Sequence, residues 1–180
     1  MDNLKIDIGC GSSKKDGFLG IDIIPLNGVD IVHDLNQFPY PFSDSVASEI
    51  WMDNVLEHLE KPLFVIEEIY RIAKDRAKIT IAVPYFRSFY SCIDPTHRNF
   101  FSVEYFNYFD PKHPFCQKYQ YSKARFGVVK IEFDREWQGK MNLIHRMLVQ
   151  FAEKHTAGYE AKLSHLLPLN SLTFHLETLK

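Results

Sequence analysis

The stretch Leu4–Asp22, LKIDIGCGSSKKDGFLGID, constrains the fold more than any other part of the chain. A short apolar run ends in an acid and a glycine turn, and a second short run ends in Asp22. This order predicts an open α/β sheet, in which ligands sit beyond the carboxyl ends of the strands where strand order reverses. Gly9 and Gly11 stand where the backbone turns tightly and approaches a ligand without interference from a Cβ. Asp22, at the second strand tip, is placed to accept hydrogen bonds from two ribose hydroxyls. An ordinary strand–turn–strand with glycines for geometry alone would use the same residues, so the choice rests on the rest of the chain.

A dinucleotide site asks for G-x-G-x-x-G, its third glycine packing a helix beneath the pyrophosphate, with an acid about 20 residues further on. Here the third position is Lys14, and Asp22 follows the first glycine too soon. Nicotinamide and flavin dinucleotides are therefore disfavoured. A nucleoside without phosphates needs only the tight turn, an acid for the ribose and a pocket for the base. DIGCG at Asp7–Gly11, GFLGID at Gly17–Asp22, VHDL at Val32–Leu35, NVLEHL at Asn54–Leu59, VPYF at Val83–Phe86 and DPTHRNFF at Asp94–Phe101 follow one another through the first hundred residues. In this order they resemble a small, compact class I S-adenosylmethionine-dependent methyltransferase.

The resemblance implies a cofactor site made of Asp7, Gly9, Cys10, Gly11, Asp22, Ile23, Asp34, Leu35, Asn54 and His58. In that reading Asp7 orients the glycine turn and approaches the methionine ammonium, Asp22 holds the ribose, and Asp34 with Leu35 meets the adenine. Asn54 stands where related sequences often carry histidine. Glu57 and His58 either line the site or cap the following helix. The implied cofactor is S-adenosyl-L-methionine, and the implied reaction is methyl transfer to an O or N nucleophile of a small molecule or glycan-like metabolite. A non-catalytic cofactor-binding subunit that supports a partner protein is the alternative, kept open by Asn54 and by a shortened flank.

That flank shows in the spacing. Strand-like runs recur at Leu4–Ile8, Phe18–Ile23, Asp30–His33, Ser48–Met52 and Ile79–Val83. Only Ser12–Asp16 and Ile24–Val29 link the first three, whereas a parallel crossover normally takes a dozen residues and a helix. One or both helices on this side are expected to be missing or reduced to a turn. Pro62–Lys74 is the clearest helix: proline opens it without loss of an intrahelical bond, and Leu63, Ile66, Ile69, Tyr70 and Ala73 share one face. Towards the end, Gly127–Asp134 reads as a strand, Lys140–Leu166 has helical periodicity and Ser171–Leu179 reads as a strand. This finish resembles that of the methyltransferases, in which the last strand inserts antiparallel beside the fifth. The expected fold is a Rossmann-like, doubly wound, mostly parallel seven-stranded α/β sheet forming one domain over residues 1–180.

From Tyr85 to Phe126, 42 residues hold 14 of the chain's 26 aromatic side chains, with six Lys or Arg against three acids. Long insertions after a strand's carboxyl end build lids and substrate walls, so 85–126 is expected to cover the substrate. Most of its rings are expected in a satellite core, with Phe100, Phe101, Tyr105, Phe106 and Phe109 packing inward at helical spacing. The positive balance points weakly to an anionic small-molecule substrate, and a solvated basic face reads equally well. His97, in DPTH, is the candidate base, its ordinary pKa lying near neutrality; a structural histidine anchoring the lid is the competing reading. Cys92-x4-His97 and His113-x2-Cys116 have zinc-ligand residue types at spacings that match no tight finger, and no metal is expected.

A net charge of −2 argues against a nucleic-acid partner, which leaves a basic footprint. Three cysteines form no disulfide framework and suit a reducing interior. Asp2 and Lys5 interrupt any leader-like apolar run, and no stretch reaches the 18 or so apolar residues of a membrane span. A cytoplasmic protein is the expectation.

Overall fold

A computed structural model describes residues 3–137 and 139–180. Seven strands form one sheet: β1 (Leu4–Ile8), β2 (Leu19–Asp22), β3 (Ile31–Val32), β4 (Ala47–Asp53), β5 (Ala73–Pro84), β6 (Phe126–Phe133) and β7 (Ser171–Thr178). Their order is β3-β2-β1-β4-β5-β7-β6, running outward in both directions from β1. β1 to β5 are parallel, and β7 lies antiparallel between β5 and β6. The Rossmann-like, mostly parallel α/β sheet and its antiparallel last strand are thus present.

Residues paired across a sheet point to the same face, and here the two faces differ sharply. One carries Ile6, Ile50, Ile79 and Leu176 in one row and Ile8, Met52, Ile81 and Phe174 in the next, all essentially fully buried. Helix α1 (Pro62–Ile72) adds Val65, Ile66, Ile69 and Ile72 to the same core. The other face carries Lys5, Glu49, Lys78 and Glu177, then Asp7, Trp51, Thr80 and His175. Lys5 pairs with Glu49 at 2.7 Å, and the Trp51 ring lies between Lys15 Nζ at 4.0 Å and the Arg135 guanidinium at 4.5 Å. Side chains and loops, rather than helices, cover this second face.

That one-sided cover follows from the short links. Among the described residues no helix precedes residue 56, so β1–β2, β2–β3 and also β3–β4 are joined without one. β3 shrinks to two residues against the four expected, because it is an edge strand paired only with β2. Helix α1 stops at Ile72 rather than at Lys74. The chain enters β5 at once and bulges at Arg76, whose φ is +59°, before regular pairing resumes at Lys78. The helical region near the end is two helices, α4 (Leu143–Lys154) and α5 (Thr156–Lys162).

The aromatic segment is not a satellite core. Tyr85, Phe101, Phe106 and Phe109 belong to the main core, and Phe106 packs edge-on against Phe174 with ring centroids 4.8 Å apart. Phe100 departs from the expected inward set and is 57% exposed. Helical spacing fails there because only Tyr105–Tyr108 forms a turn of 3₁₀ helix, so Phe100 and Phe101 point apart. Short helices α2 (Tyr90–Ile93) and α3 (Pro114–Tyr119) complete the segment.

Phe174 sits at the centre of the buried face, fully enclosed. Phe174→Ala is expected to lower unfolding free energy by about 3–5 kcal/mol in urea denaturation; a loss below about 1 kcal/mol would mean that this face is not the core.

Candidate functional site

The carboxyl ends of β1, β2, β4 and β5 open into two adjoining cavities. The smaller, of about 330 Å³, is lined by Gly9, Asp22, Ile23, Asp34, Leu35, Asn36, Asn54, Val55, His58 and Leu59. The larger, of about 480 Å³, shares Asn54 and His58 and is walled by Tyr90, Ile93, Asp94, His97 and Trp137.

Seven of the ten residues expected at the cofactor line the smaller cavity: Gly9, Asp22, Ile23, Asp34, Leu35, Asn54 and His58. Asp7, Cys10 and Gly11 are not among its lining, and Asp7 and Gly11 bond instead to Lys15 and Asp22. Asp7 is buried and accepts from the Lys15 amide at 2.8 Å, and burial raises its carboxyl above the ordinary range. The Gly9 amide donates to the Ile21 carbonyl at 2.8 Å, which ties the turn to β2. Gly9 has φ +71°, and a Cβ there would fall 2.3 Å from Val55 Cγ2, so no other residue fits. The Gly11 amide donates to Asp22 Oδ2 at 2.9 Å and the Ile24 amide to Oδ1 at 3.0 Å. Each Asp22 oxygen therefore keeps acceptor capacity towards the cavity. Asp34 closes a turn by accepting the Asn36 amide on Oδ1 at 2.9 Å, and buried Tyr40 donates its hydroxyl to the Leu35 carbonyl at 3.0 Å.

Asn54 has φ +54°. This left-handed conformation suits asparagine, whose short polar side chain bonds locally, here from Nδ2 to Asp53 Oδ1 at 2.9 Å. Asn54 is therefore the residue the backbone asks for at this bend.

The larger cavity is built by docking DPTHRN onto a 3₁₀ turn at Leu56–His58. The Glu57 carbonyl accepts the Arg98 amide at 2.8 Å and the Asn99 amide at 3.1 Å, and Asn99 Nδ2 reaches the Leu59 carbonyl at 2.7 Å. This clamp brings His97 to the cavity wall beside His58, with ring centroids 4.7 Å apart. The His97 ring is not free: its side chain is 9% exposed, Nδ1 lies 3.1 Å from the Ser91 carbonyl, and Nε2 faces Glu57 at 4.0 Å. Glu57 is 1% exposed with both carboxylate oxygens unpartnered, and burial pushes its pKa up to about 8. Burial, and then the neighbouring His97, depress the pKa of His58.

The aromatic segment divides here. Its first part, around Tyr90–His97, walls the cavity, whereas Phe101–Phe109 joins the core and α3 packs beyond it. None of the six basic residues counted in 85–126 is among the cavity lining, which holds Glu57, Asp94 and Glu136 against Lys140. The basis for expecting an anionic substrate is thereby removed.

Sequence reading missed Glu136, Trp137, Asn170 and Ser171. Asn170 and Ser171 arrive because β7 pairs antiparallel with β5 and sets Ser171 opposite Pro84, and Glu136 and Trp137 because the 3₁₀ turn Arg135–Trp137 after β6 contacts β7. Fully buried Asp134 holds this corner, accepting the Asn170 amide at 2.6 Å, the Ser171 amide at 2.9 Å and His145 Nε2 at 2.8 Å.

No protein-family model matches the sequence, and no curated protein matches it. Solved structures do match the fold. An S-adenosylmethionine-dependent methyltransferase from Archaeoglobus fulgidus superposes with a TM-score of 0.54 at 18% identity, over 97% of this chain and 86% of that one. One from Aquifex aeolicus gives 0.52 at 15% identity, over 98% and 82%. The chain has the fold of the class I S-adenosylmethionine-dependent methyltransferases.

Asn99→Ala removes the side-chain part of the docking clamp. It is expected to cost about 1–2 kcal/mol and to speed hydrogen exchange at the Arg98 and Asn99 amides. Unchanged exchange would show that the backbone bonds hold DPTHRN without Asn99.

Proposed function

We propose that this protein transfers the methyl group of S-adenosylmethionine to a hydroxyl or amine of a small molecule held in the larger cavity. The observation that carries the reading is the junction of the two cavities at Asn54 and His58, at the carboxyl end of the sheet. The smaller cavity fits a nucleoside: the Gly9 turn leaves no room for a Cβ, Asp22 keeps acceptor capacity for the ribose, and Asp34 and Leu35 flank space for a base. When bound, the cofactor supplies a methyl group already activated on a sulfonium. The chain's own task is then mostly alignment and exclusion of water. Tyr90, Ile93 and Trp137 give the acceptor cavity an apolar wall, and its acidic lining suits an uncharged or amine-bearing acceptor better than an anion.

The test is calorimetric. S-adenosylmethionine or S-adenosylhomocysteine is expected to bind and raise the melting temperature by mass action, whereas NAD and FAD are not. Asp22→Ala is expected to weaken that binding by about 2–3 kcal/mol with the fold intact. Nicotinamide binding without adenosylmethionine binding would overturn the reading, and normal binding by the variant would remove Asp22 from the ribose. Turnover is read by screening metabolite fractions for label from the cofactor. His97→Ala is expected to reduce it by about 10²–10⁴ with little change in cofactor affinity, and a loss below about tenfold would leave His97 a positioning role alone. Cofactor binding with no turnover by any fraction would favour the non-catalytic subunit.

A further inference from the structure

Glu57, His58 and His97 present a chemical imbalance that methyl transfer does not explain. The carbonyl of Ser91 can only accept, so His97 Nδ1, 3.1 Å away, carries the proton and donates it. The hydroxyl of Thr96 donates to Asp94 Oδ1 at 2.6 Å and lies 2.8 Å from His58 Nδ1, so that nitrogen is the donor in turn. In both neutral rings the proton is fixed on Nδ1, and the lone pair is left on Nε2. Each Nε2 stands 4.0 Å from the same atom, Glu57 Oε1. Three potential ligand atoms therefore converge on one point, and at 4.0 Å no hydrogen bond joins the rings to Glu57. One belongs to a fully buried carboxyl group whose two oxygens have no partner.

Loss of the Glu57 proton would leave a carboxylate and two imidazole lone pairs facing one another, an arrangement that a cation can bridge. We propose that Glu57, His58 and His97 form a binding site for one divalent transition-metal ion of the zinc or ferrous type. Two imidazoles and a carboxylate are a ligand set for such ions, and imidazole favours them over magnesium or calcium. The three ligand atoms lie within 4.8 Å of one another, the one such group of three among the described residues. Ligands bound at about 2.0–2.2 Å stand about 3.0–3.5 Å apart around one ion, so closure needs only a small movement of the rings. The supporting contacts are also those of a metal centre, where each ligating histidine donates its other nitrogen to a fixed acceptor. Ser91 serves His97, and the Thr96–Asp94 pair serves His58. All three ligands line the larger cavity, which leaves open positions on the ion facing it.

Metal binding is tested without methyl transfer, and a His97 that ligates the ion through Nε2 is a ligand in place of the base. Tag-free protein stripped with EDTA is titrated with zinc sulfate by calorimetry, and with cobalt(II) chloride followed by its visible absorption. One equivalent is expected to bind, raise the melting temperature and give the spectrum of a four- or five-coordinate cobalt site. Glu57→Gln keeps the volume and removes the charge; with His97→Ala it is expected to lower affinity at least about 100-fold and abolish the cobalt spectrum. Thr96→Val, which frees the His58 ring, is expected to lower affinity about 10–100-fold. Absence of saturable binding by the parent protein would overturn the proposal. So would one-equivalent binding that Glu57→Gln and His97→Ala leave unchanged, because exposed cysteine or histidine would then be the ligand. If His97→Ala fails to fold, His58→Asn on the half-exposed ring gives the same reading.

Discussion

One apolar sheet face organises this molecule. Rows such as Ile6–Ile50–Ile79–Leu176 are in register across four strands, and each fully buried side chain of this kind contributes about 1.5–3 kcal/mol. A one-residue slip of any strand would turn its isoleucines towards the polar face, so the register is strongly specified. Parallel sheets ordinarily carry helices on both faces and read as unbroken apolar runs. Here alternate positions are Lys5, Asp7, Glu49, Trp51, Lys78 and Thr80, and the connections that would supply a second helical layer are loops. Exposed pairs such as Lys5–Glu49 and Arg76–Glu177 decorate that face and add little stability, typically below about 1 kcal/mol each.

The same economy shapes the site. With helices on one side only, the carboxyl end of the sheet is enclosed by loops, two of them tied down by a buried acid. Asp7 accepts from Lys15 and fixes the glycine turn. Asp134 gathers Asn170, Ser171 and His145 at the start of β7. Glu57 is the exception, a buried acid that ties down nothing through its side chain. Its carbonyl, not its carboxylate, receives the docked segment through Arg98 and Asn99. A carboxyl group buried without a partner is costly, and its retention beside two oriented imidazoles is what singles out this corner chemically.

A good part of this was legible in the residues themselves. The glycine turn, Asp22 and the HDL tripeptide form strand-tip features within 35 residues, and local geometry determines where their polar groups point. Short links between the first strands gave away the missing helices by reach alone. The inward packing read through Phe100–Phe109 held except at Phe100, and Phe106 and Phe109 are buried by contacts with β7 and β6 and not by a helical repeat. The rings of 85–126 expected in a satellite core, Phe101, Phe106 and Phe109 among them, belong to the main core instead.

The sequence by itself determined the strands, the apolar face, the glycine turn and the acids at the strand tips, because each depends on residues near one another along the chain. Tertiary structure alone decided the meeting of Glu57 and His58 with His97, nearly forty positions later. It also decided the placement of Trp137 and Ser171 at the cavity, through the antiparallel insertion of β7. The physical reason is that these neighbours are created by strand pairing and by backbone hydrogen bonds between distant segments, whose partners no local pattern records.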